Sequence, residues 1–213
     1  EENTALKAAV ITSINTWLLY ALRSMPNIES ADVCLPDRTL FAIAPYLTAE
    51  KGKLHFYVRE PMTFFREKVR IYDLFIIGIT DIYSLAMHRY HTEEMLETVK
   101  NSMKDDGIFM MMLPEPEGYS KEAVAGLQAS IIATVERVFP NVLFSAGRVD
   151  VLLASENRKL TLFPEELADR AEKLFGESSI IPSGLFRVTG NLLYDRSETD
   201  RILSLAREKS GNR

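Results

Sequence analysis

Apolar and polar positions divide the chain into short apolar runs that alternate with segments of helical spacing. The runs at 8–11, 31–35, 54–58, 74–78 and 108–113 predict strands, and the segments at 17–24, 39–47, 62–68 and 92–103 predict helices between them. This is the rhythm of βαβ units, whose parallel sheet is covered by helices on both faces. Leu74-Phe75-Ile76-Ile77 is apolar without alternation, as a strand buried on both faces must be, and is placed at the centre of the sheet.

Boundary signals sharpen the later elements. Thr92 can cap the helix that follows it, with Glu93 and Glu94 in the positive first turn and Lys100 and Lys104 toward the negative end. Asp105-Asp106-Gly107 then reads as a turn into the strand IFMMML. A long helix is predicted over about 120–138, with Val124, Leu127, Ile131 and Val135 on its apolar face, ending at Phe139-Pro140-Asn141. The runs 142–145 and 149–154, joined by Ala146-Gly147-Arg148, form a hairpin, so the parallel sheet ends in an antiparallel pair. Beyond Ser155 the chain turns helix-rich and polar. A helix is expected from Pro164 to about Phe175, then a connector holding Pro182, Gly184 and Gly190, and a last amphipathic helix over about 198–209. The expected organisation is a sheet domain over 1–155 with a helical C-terminal extension, 156–213, packed on it.

Composition narrows the class. With 213 residues, 46% hydrophobic and 26% charged, the chain can bury a sizeable core. Its net charge is -5 and Lys and Arg never run beyond pairs, so a phosphate backbone would be repelled and no nucleic-acid partner is expected. One cysteine, Cys34, excludes an internal disulfide framework and fits a reducing, cytoplasmic setting. The longest apolar stretch, 8–22, is broken by Thr12, Ser13, Asn15 and Thr16 and falls short of the roughly 20 residues a membrane helix needs, so a soluble domain is expected. The chain does not open on Met and reaches its first strand almost at once. That leads to the expectation of a segment cut from a longer protein.

Candidate chemistry is sparse. His88, His91 and Glu94 follow one another at intervals of three, but a metal needs three or four convergent ligands; cap and surface roles are the reading, and no metal is expected. Cys34 lies in an apolar strand and reads as a buried, inert thiol. No serine sits in a Gly-x-Ser-x-Gly context, which removes the α/β-hydrolase class. The Met110-Met111-Met112 run reads as core. The first strand-to-helix turn, Thr12-Ser13-Ile14-Asn15-Thr16-Trp17, holds no glycine, and the first glycine of the chain is Gly52.

The segment YDLFIIGITDIYSLAMHRYHTEEMLETVKNSMKDDGIFMMML, residues 72–113, resembles the central region of the spermidine synthase family. In that family a "YDVIIxDxxDP" strand leads through an Arg-aromatic-aromatic-Thr sequence to a helix and a "PGG" turn. Tyr72-Asp73, Asp81, Arg89-Tyr90-His91-Thr92 and Asp105-Asp106-Gly107 stand in those places. The resemblance extends over about 7–155. It implies an α/β, Rossmann-like fold of the S-adenosylmethionine-dependent methyltransferase type: a mostly parallel seven-stranded sheet with an antiparallel final hairpin, plus the helical C-terminal extension.

The resemblance also implies where the chemistry fails. The family's first turn is a "GGGxGG" that admits the aminopropyl donor, whereas here Cβ atoms fill it, and the indole of Trp17 is expected to lie across the tips of strands one and four. The family's ribose-binding acid after the second strand is Leu35, with Asp37 the candidate to replace it two residues on. The family's general base is Gly78. Asp81 is retained as the remaining candidate catalytic acid, its plainer reading being a loop acid or a cap. Glu60 could contact the adenine, although Glu60-Pro61 also reads as a helix start. Tyr83, Tyr90 and Tyr119 are placed at the cleft as candidate substrate-binding residues, and the acidic, Pro-containing 113–118 stands at the family's gating loop.

The expected function is therefore a spermidine synthase-like domain that has lost catalysis and serves as a binding, regulatory or oligomerisation module, with no cofactor. The alternative is an active transferase, an aminopropyltransferase or methyltransferase using decarboxylated S-adenosylmethionine or S-adenosylmethionine, that has rebuilt its donor site from Asp37, Glu60 and Asp81. A small-molecule ligand in a residual cleft, a homodimer and, since some spermidine synthase-like domains are fused to membrane segments, such segments in a longer protein are the partners this reading leaves open.

Overall fold

Alternation along β1 (Leu6–Thr12) decides which face each strand residue serves. Ala9 and Ile11 join Cys34, Phe75 and Ile77 in one buried cluster, while Ala8 and Val10 join Ala31, Val33 and Ile76 in a second on the opposite face. The computed structural model describes residues 5–13, 16–36, 52–79, 88–113, 120–147, 149–161, 166, 169 and 195–211. The other strands are β2 (Ile28–Cys34), β3 (Leu54–Tyr57), β4 (Tyr72–Gly78), β5 (Met103–Met112), β6 (Asn141–Ser145) and β7 (Val151–Ser155). They form one seven-stranded sheet in the order β3-β2-β1-β4-β5-β7-β6. Every pairing from β3 to β5 is parallel, and β7 runs antiparallel to both β5 and β6. β4 is the middle strand, as the unbroken apolar run at Leu74–Ile77 predicted.

Helices cover both faces. α1 (Thr16–Ser24) lays Leu18, Leu19 and Leu22 on one. α2 (Pro61–Arg66), α3 (Glu93–Ser102), α4 (Lys121–Val138) and α5 (Arg196–Gly211) cover the other with residues such as Phe65, Leu96, Ile132 and Ile202. Their starts are set by side-chain caps that satisfy free backbone N–H groups. Thr92 accepts from Met95 N at 3.4 Å, Ser120 from Ala123 N at 3.2 Å and Asp195 from Glu198 N at 3.0 Å. Among the described residues, no helix is long and apolar enough to cross a membrane.

One boundary differs from expectation. Asp105-Asp106-Gly107 does not turn into β5 but lies within it, because the strand already starts at Met103. Tyr72 pairs with Met103 and Leu74 with Ile108, so the intervening β5 residues bulge out of the ladder. Glycine is needed there: a Cβ on Gly107 would stand 2.9 Å from the Lys104 carbonyl oxygen. The bulge is tied back by Lys104 to Asp73 at 2.8 Å and by Arg70 to Asp105. The helix expected over 39–47 lies outside the described residues, as does that over 164–175 apart from Glu166 and Asp169, both helical.

Candidate functional site

Open α/β sheets bind ligands beyond the carboxyl ends of their strands, at the point where strand order reverses. Here that point lies between β1 and β4, where the last residues of the two strands, Thr12 and Gly78, are in register. Both are buried, and the Thr12 hydroxyl donates to the Gly78 carbonyl oxygen at 3.4 Å. Leu18, from the first turn of α1, packs beside Gly78. A Cβ built on Gly78 would meet Leu18 Cδ2 at 3.0 Å, Thr12 Oγ1 at 3.5 Å and Met112 Sδ at 3.8 Å. The neighbouring tips are apolar and buried as well: Leu35 follows β2, Ile79 follows β4 and Leu113 follows β5.

Trp17 does not do this work. It is 55% exposed and shares the outward side of α1 with Tyr20, 68% exposed, while Leu18, Leu19 and Leu22 face the sheet. The residue packed beside the strand tip is thus the next one along. On a helix one position is a rotation of about 100°, enough to exchange the solvent side for the core side.

At the end of β2, Leu35 donates its backbone N–H to the Tyr57 carbonyl at 2.8 Å and its side chain packs in the α1-side core. A hydrocarbon side chain offers a ribose hydroxyl no acceptor. Cys34 is fully buried, and its thiol donates to the Arg59 carbonyl oxygen at 3.3 Å. Burial, reinforced by the charge of Glu60 and opposed by that hydrogen bond, pushes the thiol up to about 12, as an inert cysteine requires.

Glu60 caps α2. Its Oε2 accepts from the Thr63 N–H at 2.8 Å and the Thr63 hydroxyl at 3.1 Å, with Pro61 at the first helical position. Tyr90 lies in a 3₁₀ turn (Arg89–His91) and is wholly buried, its ring under the Arg89 guanidinium at 5.0 Å and its hydroxyl accepting from Arg89 at 2.8 Å. Burial raises its pKa against the lowering effect of Arg89. His88 is exposed but His91 is buried, so a surface role fits only the first. No group of three or more candidate metal ligands converges among the described residues. Asp37, Asp81, Tyr83, Tyr119 and the loop 114–118 lie outside the described residues.

One polar cluster went unread in the sequence. Asp32 of β2 accepts a hydrogen bond from the Tyr72 hydroxyl of β4 at 2.7 Å, on the face covered by α2. Burial raises the Tyr72 pKa, and the hydrogen bond and charge of Asp32 raise it further; Tyr57 is shifted the same way by the same causes. The available signal was an Asp two positions before the buried Cys34, on the same face of the strand.

No protein-family model matches the sequence. No curated protein sequence matches it. Solved structures do match in fold. A spermidine synthase in complex with the transition-state analogue AdoDATO superposes with a TM-score of 0.71 at 16% identity, covering 96% of this chain and 71% of that one. The spermidine synthase from Thermotoga maritima gives 0.67 at 16% identity over 96% and 70%. Human methyltransferase-like protein 13 in complex with SAH gives 0.61 at 17% identity over 80% of each chain. The chain therefore has the Rossmann-like fold shared by spermidine synthases and methyltransferases, with a mostly parallel seven-stranded sheet and an antiparallel final hairpin.

Two of these structures hold AdoDATO and SAH, and at three places the described residues of this chain offer such a group little. A Cβ at position 78 would crowd Leu18, the Leu35 side chain has no acceptor, and the Oε2 atom of Glu60 is engaged by Thr63.

Proposed function

We propose that this chain is a spermidine synthase-like domain without transferase activity, which serves as a binding, regulatory or oligomerisation module. The observation that carries the reading is that β4 ends on Gly78, with no carboxylate at that position and Leu18 packed beside it. A positioned general base contributes about 100-fold to 10,000-fold in rate, and its loss here coincides with an apolar residue at 35. Homodimer formation and a small ligand in a residual cleft belong to this proposal, as does a place beside membrane segments in a longer protein.

The competing reading is a working aminopropyltransferase or methyltransferase whose donor is held by Asp37, Glu60 and Asp81. Its support is the fold, which in the spermidine synthase and human methyltransferase-like structures accommodates AdoDATO and SAH. The use of Glu60 as a helix cap weighs against it. Incubation with decarboxylated S-adenosylmethionine and a diamine tests the aminopropyltransferase, and calorimetric titration with S-adenosylmethionine tests the methyltransferase, whose donor must bind. The proposal expects no methylthioadenosine above a protein-free blank; turnover proportional to protein would establish the transferase.

A further inference from the structure

We propose that Leu18 crowds the end of β4, so that a side chain at position 78, and with it a carboxylate able to hold an amine or a sulfonium group, is accommodated there only at a cost in stability. The inference rests on the reading of the domain as a non-transferase but goes beyond it, because a site that merely lacks an acid and a site built against one behave differently. Three contacts carry it. A Cβ at position 78 would stand 3.0 Å from Leu18 Cδ2, tighter than nine in ten real contacts of that kind, with Thr12 Oγ1 at 3.5 Å and Met112 Sδ at 3.8 Å. Leu18 is itself 4% exposed and held among Leu19, Leu22 and Ile76, so its branched end has little freedom to withdraw. The backbone of Gly78 cannot recede either, since it is in register with Thr12 and bonded to its hydroxyl. A carboxylate there would also be surrounded by buried apolar tips, where its charged form is disfavoured.

The test is a set of urea unfolding curves for Gly78→Ala and Gly78→Asp, each made in the parent and in a Leu18→Ala background. Gly78→Ala is the milder probe and carries the test if Gly78→Asp does not fold. Steric exclusion predicts that each substitution lowers the unfolding midpoint clearly in the parent, and by less than half as much once Leu18 is truncated. Equal lowering in both backgrounds would overturn the inference. Neither outcome depends on whether the parent binds a donor, so failure here is distinct from failure of the proposed function.

Discussion

Tyr72 on β4 donates its hydroxyl hydrogen to Asp32 on β2 across 2.7 Å, reaching over β1, which lies between the two strands. The β1 residue in register with Asp32 is Ala9, which is small and fully buried. A hydrogen bond to a charged acceptor in a partly buried place contributes more than a neutral one, and removing one partner leaves the other short of hydration. Tyr72→Phe is expected to lower stability by about 1–3 kcal/mol, read from urea unfolding. In an Asp32→Ala background the same change should cost much less; equal costs would show that the pair does not act as one.

Trp17→Ala is expected to change stability by no more than about 0.5 kcal/mol, because the indole is 55% exposed on the outward side of α1. Thermal and urea unfolding of the variant check this. A loss of several kcal/mol, on the scale of a buried aromatic, would place the ring in the core instead.

The contrast between Trp17 and Leu18 marks how far the sequence could be read. That the first turn lacks glycine was legible, as were the apolar Leu35 and the Gly78 in place of an acid. The side chain that packs beside Gly78 was not, because residues 17, 18, 19, 21 and 22 are all apolar and periodicity alone does not choose among the faces of a helix that is apolar nearly all round. The central position of β4, the closing hairpin and the Thr92 cap were legible because each rests on a local pattern. The β5 bulge was not, since Asp and Gly suit a turn and a bulge equally well. The Asp32 and Tyr72 pair lies 40 residues apart and is joined only by strand order.

Gly126→Ala is expected to stabilise the fold by about 0.5–1 kcal/mol. Gly126 lies inside α4, where a methyl group would meet nothing within 4 Å, and alanine restricts the unfolded chain. Its carbonyl oxygen accepts from Lys209 Nζ, a backbone contact that the substitution leaves in place. A higher midpoint in chemical unfolding checks the prediction, and a lower one would contradict the open space seen beside that residue.

Cys34 sets an alkaline limit. Its thiol is raised from an ordinary 9.0 to about 12, so the folded chain keeps the proton that the unfolded chain releases. The stability this represents is complete below pH 9 and is lost as the pH rises from there toward 12. Cys34→Ala should therefore flatten the fall in unfolding free energy across that window, although Tyr72, also raised, leaves a residual slope. At pH 8 the native thiol should resist a thiol-reactive reagent that modifies the urea-unfolded chain at once; rapid native labelling would contradict its burial.

The proposed failure of the carboxyl end of this sheet to admit a nucleoside donor is decided by isothermal titration calorimetry of the parent chain with S-adenosylmethionine, its decarboxylated form and methylthioadenosine. Leu18 against Gly78, and Leu35 at the end of β2, predict no saturable heat with any of the three at millimolar ligand. Saturable binding in the micromolar range by any one of them would contradict it.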